Sequence, residues 1–200
     1  MSTVLYIKAN PKPDHASYTF RMSEAFIQSY KEVNPGDRII TLDLYQEGVR
    51  PLDAEMLAQM FSTQENIMKK YAEQFAAADK YVIAAPMWNL SFPAILKTYF
   101  DYVVLAGVTF KYTEQGPVGL LVPGKKAVHI TARGGQYSEG PAAQFEMGDR
   151  YIRTILGFMG VEQSDITTIT TELTGVLQGQ ELEQSVTKSV EEAKRKAANF

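Results

Sequence analysis

Short β-branched runs alternate with longer segments of helical period along this chain, and that alternation restricts it to a parallel sheet covered by helices on both faces. Strands are predicted at Thr3 to Ala9, Arg38 to Leu44, Lys80 to Pro86, Lys126 to Thr131 and Asp165 to Thr171. Between them, Ser17 to Val33 sets Met22, Phe26, Tyr30 and Val33 at helical spacing, and Asn34-Pro35-Gly36-Asp37 stops that helix. Further helices are predicted at Leu52 to Met60, Ile67 to Ala78, Phe145 to Met159 and Gln180 to Ala198. Another starts at Pro93, whose missing N–H has no intrahelical partner in a first turn, and runs to about Leu105.

One stretch interrupts the alternation. Val108 to Lys125 is rich in Gly and Pro and too long for a simple connection. Within it, Thr109 to Tyr112 and Val118 to Leu121 are predicted to pair as an excursion hairpin around Thr113 to Pro117, ahead of the fourth strand. Strict alternation around five strands predicts a flavodoxin-like, doubly wound α/β sheet in the order 2-1-3-4-5, forming a single domain over residues 1–200. In such a sheet the ligand crevice opens at the carboxyl ends of strands one and three, so the loops after Ala9, Pro86 and Thr131 carry the expected site.

Composition narrows the chemistry. The chain has no cysteine and two histidines, His15 and His129, which excludes thiolate nucleophiles, Cys-ligated zinc and iron–sulfur clusters and leaves little for a His-based metal site. A formal charge of -3 gives no excess of cations to track a phosphodiester backbone, so nucleic acid is not an expected partner. The opening residues lack the pattern of a secretory signal, and the richest apolar run, Tyr99 to Phe110, is interrupted by Asp101. No membrane association is expected, and the expected location is cytoplasmic.

The first loop, Asn10 to Arg21, matches neither the dinucleotide Gly-x-Gly-x-x-Gly pattern nor the Gly-x-x-x-x-Gly-Lys phosphate loop. It offers a hydroxyl-bearing helix start, in which Ser17 and Thr19 beside free backbone N–H groups suit a phosphate monoester. Taken alone, Ser17 reads first as a plain helix cap. The second loop, Pro86 to Pro93, holds the only tryptophan and no charge, a composition suited to a large planar heterocycle. Met87 and Phe92 taken singly read as core, while Trp88 and Asn89 stand between core and site. The third loop places Gly134-Gly135 where backbone passes close to a ligand or takes positive φ. Together the three loops point to flavin mononucleotide (FMN).

The strings Pro86-Met87-Trp88-Asn89-Leu90-Ser91-Phe92-Pro93-Ala94-Ile95-Leu96-Lys97, Gly107 to Pro117 and Arg133-Gly134-Gly135 resemble the FMN-dependent NADH-azoreductases, which also act as NADH:quinone reductases. The resemblance spans essentially the whole chain. It implies FMN as bound cofactor and NADH as co-substrate, with hydride passing from NADH to the flavin and on to a quinone or an azo compound, the azo bond being cleaved to two amines after two cycles. The family's Ser-x-Ser or Ser-x-Thr phosphate unit corresponds to Ser17-Tyr18-Thr19. Its ring-binding Met-x-Asn-x segment corresponds to Met87, Trp88, Asn89 and Leu90, and its Ser-Arg-Gly-Gly segment to Ala132, Arg133, Gly134 and Gly135. Two departures stand out: Asn10 where the family often has serine, which keeps a side-chain donor, and Ala132 in place of a serine, which does not.

The resemblance also implies a homodimer that completes each flavin site. Trp88, Leu90, Phe110 and Tyr112 are expected to form an aromatic slot for flat acceptors. Tyr112 and solvent are both available as proton donors. A flavodoxin-type electron carrier shares the fold and FMN, but such carriers are usually more acidic and have no use for the Val108 to Lys125 excursion. A phospho-receiver would need acidic residues where Lys8-Ala9-Asn10 stand, and a serine hydrolase would need a Gly-x-Ser-x-Gly elbow that is missing.

Overall fold

A computed structural model describes residues 1–60, 62 and 64–200. Five strands form one sheet: β1 (Thr3–Lys8), β2 (Arg38–Asp43), β3 (Lys80–Ala84), β6 (Lys126–Ala132) and β7 (Ile166–Thr171), in the order β2-β1-β3-β6-β7. Every neighbouring pair is parallel. Among these five strands in chain order this is the 2-1-3-4-5 arrangement. The order reverses between β1 and β3, and their carboxyl ends diverge there into separate loops.

Alternate residues of each strand serve two separate cores, which is why the central strands read as continuous apolar runs. Val4 and Tyr6 of β1 and Val82 of β3 pack with Phe20, Met22 and Phe26 of α1 (Tyr18–Val33) and Ala193 of α6 (Gly179–Ala197). On the other face, Leu5, Ile7 and Ile83 pack against α3 (Ile67–Ala77), α4 (Ala94–Val103) and α5 (Gly148–Met159). The short α2 (Ala54–Met60) adds Met56 to that layer. No helix among the described residues is long and apolar enough to cross a membrane.

The excursion is a hairpin, as expected, with a different register. Its strands are β4 (Phe110–Thr113) and β5 (Gly116–Gly119), antiparallel around Glu114-Gln115 rather than around a five-residue loop. Three local bonds explain the shift. Thr109, expected in the strand, turns its hydroxyl inward to the Val103 carbonyl at 2.7 Å and ends α4 instead. Thr113 Oγ1 donates to the Gly116 carbonyl at 2.8 Å, and Gly116 takes φ +113°, which closes the shorter turn. Leu121 leaves the ribbon because its N–H donates to the Met159 carbonyl at the end of α5. Gly119 lies against the same helix end, where a Cβ would stand 2.3 Å from the Met159 backbone.

The helix expected from Phe145 starts three residues later. Phe145 closes a 3-10 turn (Pro141–Phe145), and the Glu146 carboxylate accepts from the N–H groups of Gly148 and Asp149 at 3.0 and 2.9 Å. That carboxylate satisfies amides that a helix begun earlier would have buried in its own ladder.

Candidate active site

At the carboxyl edge of the sheet, a cavity of about 290 Å³ is lined by Asn10, Ser17, Tyr18 and Thr19 from the first loop, Met87 and Trp88 from the second, and Ala132 and Gly134 from the third. Lys12, Ala16, Pro86, Thr174 and Gly175 complete its wall. Residues from three separated stretches thus converge on one concavity, as the sheet's switch point dictates.

The first loop is held in shape by its own side chains. Ser17 caps α1, its Oγ accepting from the Phe20 N–H at 3.2 Å and from Asn10 Nδ2 at 2.9 Å. Asn10 Oδ1 accepts in turn from the Lys12 N–H. The first-turn amides of Tyr18 and Thr19 have no intrahelical acceptor, so two N–H groups at the positive end of α1 stay available beside the Ser17 hydroxyl proton. Beneath them Lys8, buried, makes ion pairs with Asp14 at 2.6 Å and Glu24 at 2.9 Å. Burial opposes its charge, but the two carboxylates hold its pKa above the ordinary lysine value. That clamp fixes the 3-10 turn Asp14–Ala16 ahead of Ser17.

The second loop is a tight turn. Trp88 and Ser91 exchange backbone hydrogen bonds of 2.8 and 3.1 Å, forcing Asn89 to φ +48° and Leu90 to φ +71°. Left-handed backbone at a leucine is unfavourable for an L-residue and marks a turn held by its surroundings. Among the described residues the Asn89 and Leu90 N–H groups find no acceptor. Trp88 is 40% exposed and also borders an open groove of about 610 Å³ shared with Tyr45, Asn89, Pro93 and Ile95.

The third loop turns its carbonyls away. Those of Arg133, Gly134 and Gly135 accept from the N–H groups of Thr174, Gly175 and Leu173 at 3.1, 3.0 and 3.2 Å. The N–H groups of Gly134, Gly135 and Gln136 find no acceptor among the described residues. Thr174 and Gly175, from the loop after β7, were absent from the sequence expectations. Their signal was positional, since that loop also leaves the carboxyl edge of the sheet.

Three expected site residues sit differently from a simple lining role. Arg133 is buried, and its guanidinium points to Glu172 at 3.2 Å and Glu146 at 3.5 Å, behind the loop rather than into the cavity. Phe110 is buried, with its ring centroid 4.9 Å from that of Phe158 on α5, and Tyr112 is 75% exposed on the hairpin. The Met147 N–H, just before α5, donates to the Leu90 carbonyl at 2.9 Å, whereas the hairpin docks at Met159, at the opposite end of α5. Neither Phe110 nor Tyr112 lines the cavity or the open groove that Trp88 borders.

The arrangement tests well against FMN. One end of the cavity offers helix-start amides and hydroxyls for a phosphate, the middle offers Met87 and Trp88 surfaces, and the far side is bounded by Gly134, whose N–H is unpaired among the described residues. A Cβ built on Gly134 would meet open space, so the cavity there is bounded by backbone alone.

These features define a flavodoxin-like protein, and a family model described as flavodoxin-like fold matches residues 2–198. An FMN-dependent NADH:quinone oxidoreductase 2 of Clostridium acetobutylicum is 54% identical over 204 residues, covering 100% of both chains. An FMN-dependent NADH:quinone oxidoreductase of Caldicellulosiruptor saccharolyticus is 53% identical over 205 residues, again covering both fully. Among solved structures, an azoreductase from Bacillus anthracis has a TM-score of 0.90 at 39% identity over 100% of each chain. An FMN-dependent NADH-azoreductase of the same species, in complex with FMN, has a TM-score of 0.85 at 31% identity, covering 98% of this chain and 100% of that one. The chain belongs to the family of FMN-dependent NADH-azoreductases and NADH:quinone reductases.

Proposed function

We propose that this protein is a single-domain FMN-dependent NADH:quinone oxidoreductase that also reduces azo compounds. The observation that carries this reading is the set of unpaired N–H groups on three loops around one cavity, at the sheet edge where the family resemblance puts the cofactor. Tyr18 and Thr19 N–H groups and the Ser17 hydroxyl would bind the phosphate, with Asn10 orienting Ser17. Met87 to Leu90 and Gly134-Gly135 would hold the ring. Bound FMN supplies two-electron chemistry, from NADH to a quinone or an azo bond.

The chain's own contribution is position and electrostatics. Backbone N–H groups at Gly134 and Gly135 favour negative charge at the ring edge, the logic of an oxyanion hole. Trp88 and Leu90, each 40% exposed, offer an apolar wall that orients a flat acceptor without reading polar substituents. Tyr112 belongs to the same proposal only through a partner subunit. An exposed side chain on a hairpin that does not line its own cavity can wall a cavity in a second copy, with Phe110 holding it edge-to-face at 5.3 Å. The proposed state is accordingly a soluble cytoplasmic homodimer without nucleic-acid or membrane partners.

Steady-state kinetics with NADH and a quinone test the reading. Parallel double-reciprocal lines that depend on added FMN are expected, because donor and acceptor use one place in turn. Equal turnover in FMN-free protein would contradict it. For assembly, sedimentation at assay concentration should give a dimer, and a fully active monomer would be the contrary result.

A further inference from the structure

We propose that Glu172 is a positioning residue for the Gly134-Gly135 loop, acting through Arg133 and setting the balance between oxidised and reduced flavin there; the second half of this rests on the FMN reading above. Glu172 is the first residue after β7. One of its oxygens, Oε1, accepts from Arg133 Nη1 at 3.2 Å, from the Tyr137 N–H at 2.8 Å and from the Ser138 N–H at 2.9 Å. A single carboxylate oxygen thus grips both ends of the segment that carries Gly134, Gly135 and Gln136.

The opposite side of Arg133 is held by Glu146, whose Oε1 lies 3.5 Å from Nη2 while also capping α5. Arg133 is 4% exposed and its Nε has no partner among the described residues. Behind the loop lies a polar cavity of about 380 Å³ lined by Arg133, Tyr137, Ser138 and Glu146. With open space rather than apolar packing at its back, the loop rests on the backbone bonds from Leu173, Thr174 and Gly175 and on the ionic clamp. Charge-assisted bonds to a buried guanidinium are strong enough for that task, and breaking one partner leaves an uncompensated charge.

The clamp also has an electrostatic consequence. One guanidinium between two carboxylates leaves the clamp itself net negative behind the loop whose N–H groups would face the ring, while Asp149 and Arg150, which also line the cavity there, carry opposite charges. Reduction places additional negative charge on the ring, so Glu172 opposes reduction, and removing its charge favours it. This separates charge from shape: Glu172→Gln keeps an acceptor oxygen and loses the charge, whereas Glu172→Ala loses both.

Two measurements decide the proposal. In FMN-free protein, amide hydrogen exchange at Tyr137 and Ser138 should speed up at least about tenfold in Glu172→Ala, stay near wild type in Glu172→Gln, and be unchanged in β1 and β3 in both. In FMN-loaded protein, Glu172→Gln should shift the flavin midpoint to a more positive potential, with reduced FMN gaining about threefold or more in affinity over oxidised FMN. Unchanged exchange in Glu172→Ala overturns the clamp. An unchanged midpoint in Glu172→Gln overturns the electrostatic role and leaves a purely structural one. Failure of the wild-type protein to bind FMN would overturn the function reading instead, while the exchange experiment would still judge the clamp.

Discussion

The Ala132 N–H donates to Thr19 Oγ1 at 3.0 Å, joining the end of β6 to the start of α1 across 113 positions of sequence. The Ala132 carbonyl accepts from the Met87 N–H at 2.9 Å, so all three loops of the cavity are tied through one alanine. A serine hydroxyl is not needed at 132 for this link, because only backbone groups are used there. Thr19 itself is fully buried, and its hydroxyl still has a proton to donate.

Replacing Ser17 and Thr19 together with alanine should weaken FMN at least about tenfold, since each charge-assisted bond to a phosphate is worth about 1.5–3 kcal/mol. Riboflavin, which lacks the phosphate, should lose much less. Flavin fluorescence titrations compare the two ligands, and equal loss for both would mean that the double variant acts through loop shape. Thr19→Ser, which keeps the acceptor for Ala132, should retain most of the affinity.

Gly119→Ala should loosen the hairpin from α5. Its Cβ would stand 2.3 Å from the Met159 carbonyl carbon, and backbone on both sides leaves no flexible side chain to give way. A cost of about 1–3 kcal/mol in denaturant unfolding is expected, typical of overpacking. A change at Gly124, whose built Cβ meets nothing but whose φ is +87°, would cost only backbone strain. Equal losses at the two positions would show that hairpin docking adds nothing.

Asp149 carries a pH signature. Burial pushes its pKa up, but bonds from His129 at 2.9 Å, Thr168 at 2.7 Å and Arg153 at 2.7 Å outweigh that and hold it far below the ordinary value of 3.8. A carboxyl depressed in the folded state stabilises above its unfolded pKa, and that stabilisation fades as pH falls toward the folded value. Thermal unfolding followed from pH 7 down to pH about 2.5 should therefore show a steeper loss below pH ~4 in wild type than in Asp149→Asn. At pH 7 the variant should be less stable by about 2 kcal/mol. Parallel curves for the two proteins would mean that the network is not ionic.

Most of the fold was legible because strands buried on both faces and helices with one apolar stripe leave distinct periods in the sequence. The carboxyl-edge loops followed from the strand order, and Ser17, Thr19, Met87, Trp88 and Gly134 do line one cavity. The hairpin register was not legible, because the inward turn of Thr109 depends on the Val103 carbonyl at the end of α4. Nor was the direction of the Arg133 side chain, which is decided by Glu146 and Glu172 on other elements. Long-range ion pairs carry no local pattern, so a basic residue beside two glycines reads as a ligand contact until its partners are seen.

Trp88→Ala should change the rank order of quinone and azo acceptors at saturating NADH while leaving FMN content and the anaerobic rate of reduction by NADH less affected. Its side chain is half-exposed and makes no side-chain hydrogen bond among the described residues, so truncation alters a wall without dismantling the Trp88–Ser91 turn. An unchanged rank order would remove Trp88 from the acceptor site.

The most direct test of the account is the visible absorption spectrum of the purified protein, recorded anaerobically before and after one equivalent of NADH per bound flavin, and again after addition of a quinone. Yellow flavin absorbance that bleaches with NADH and returns with the quinone is the result expected. Protein that takes up no FMN from excess cofactor, or bound FMN that stays yellow with NADH, would contradict the account.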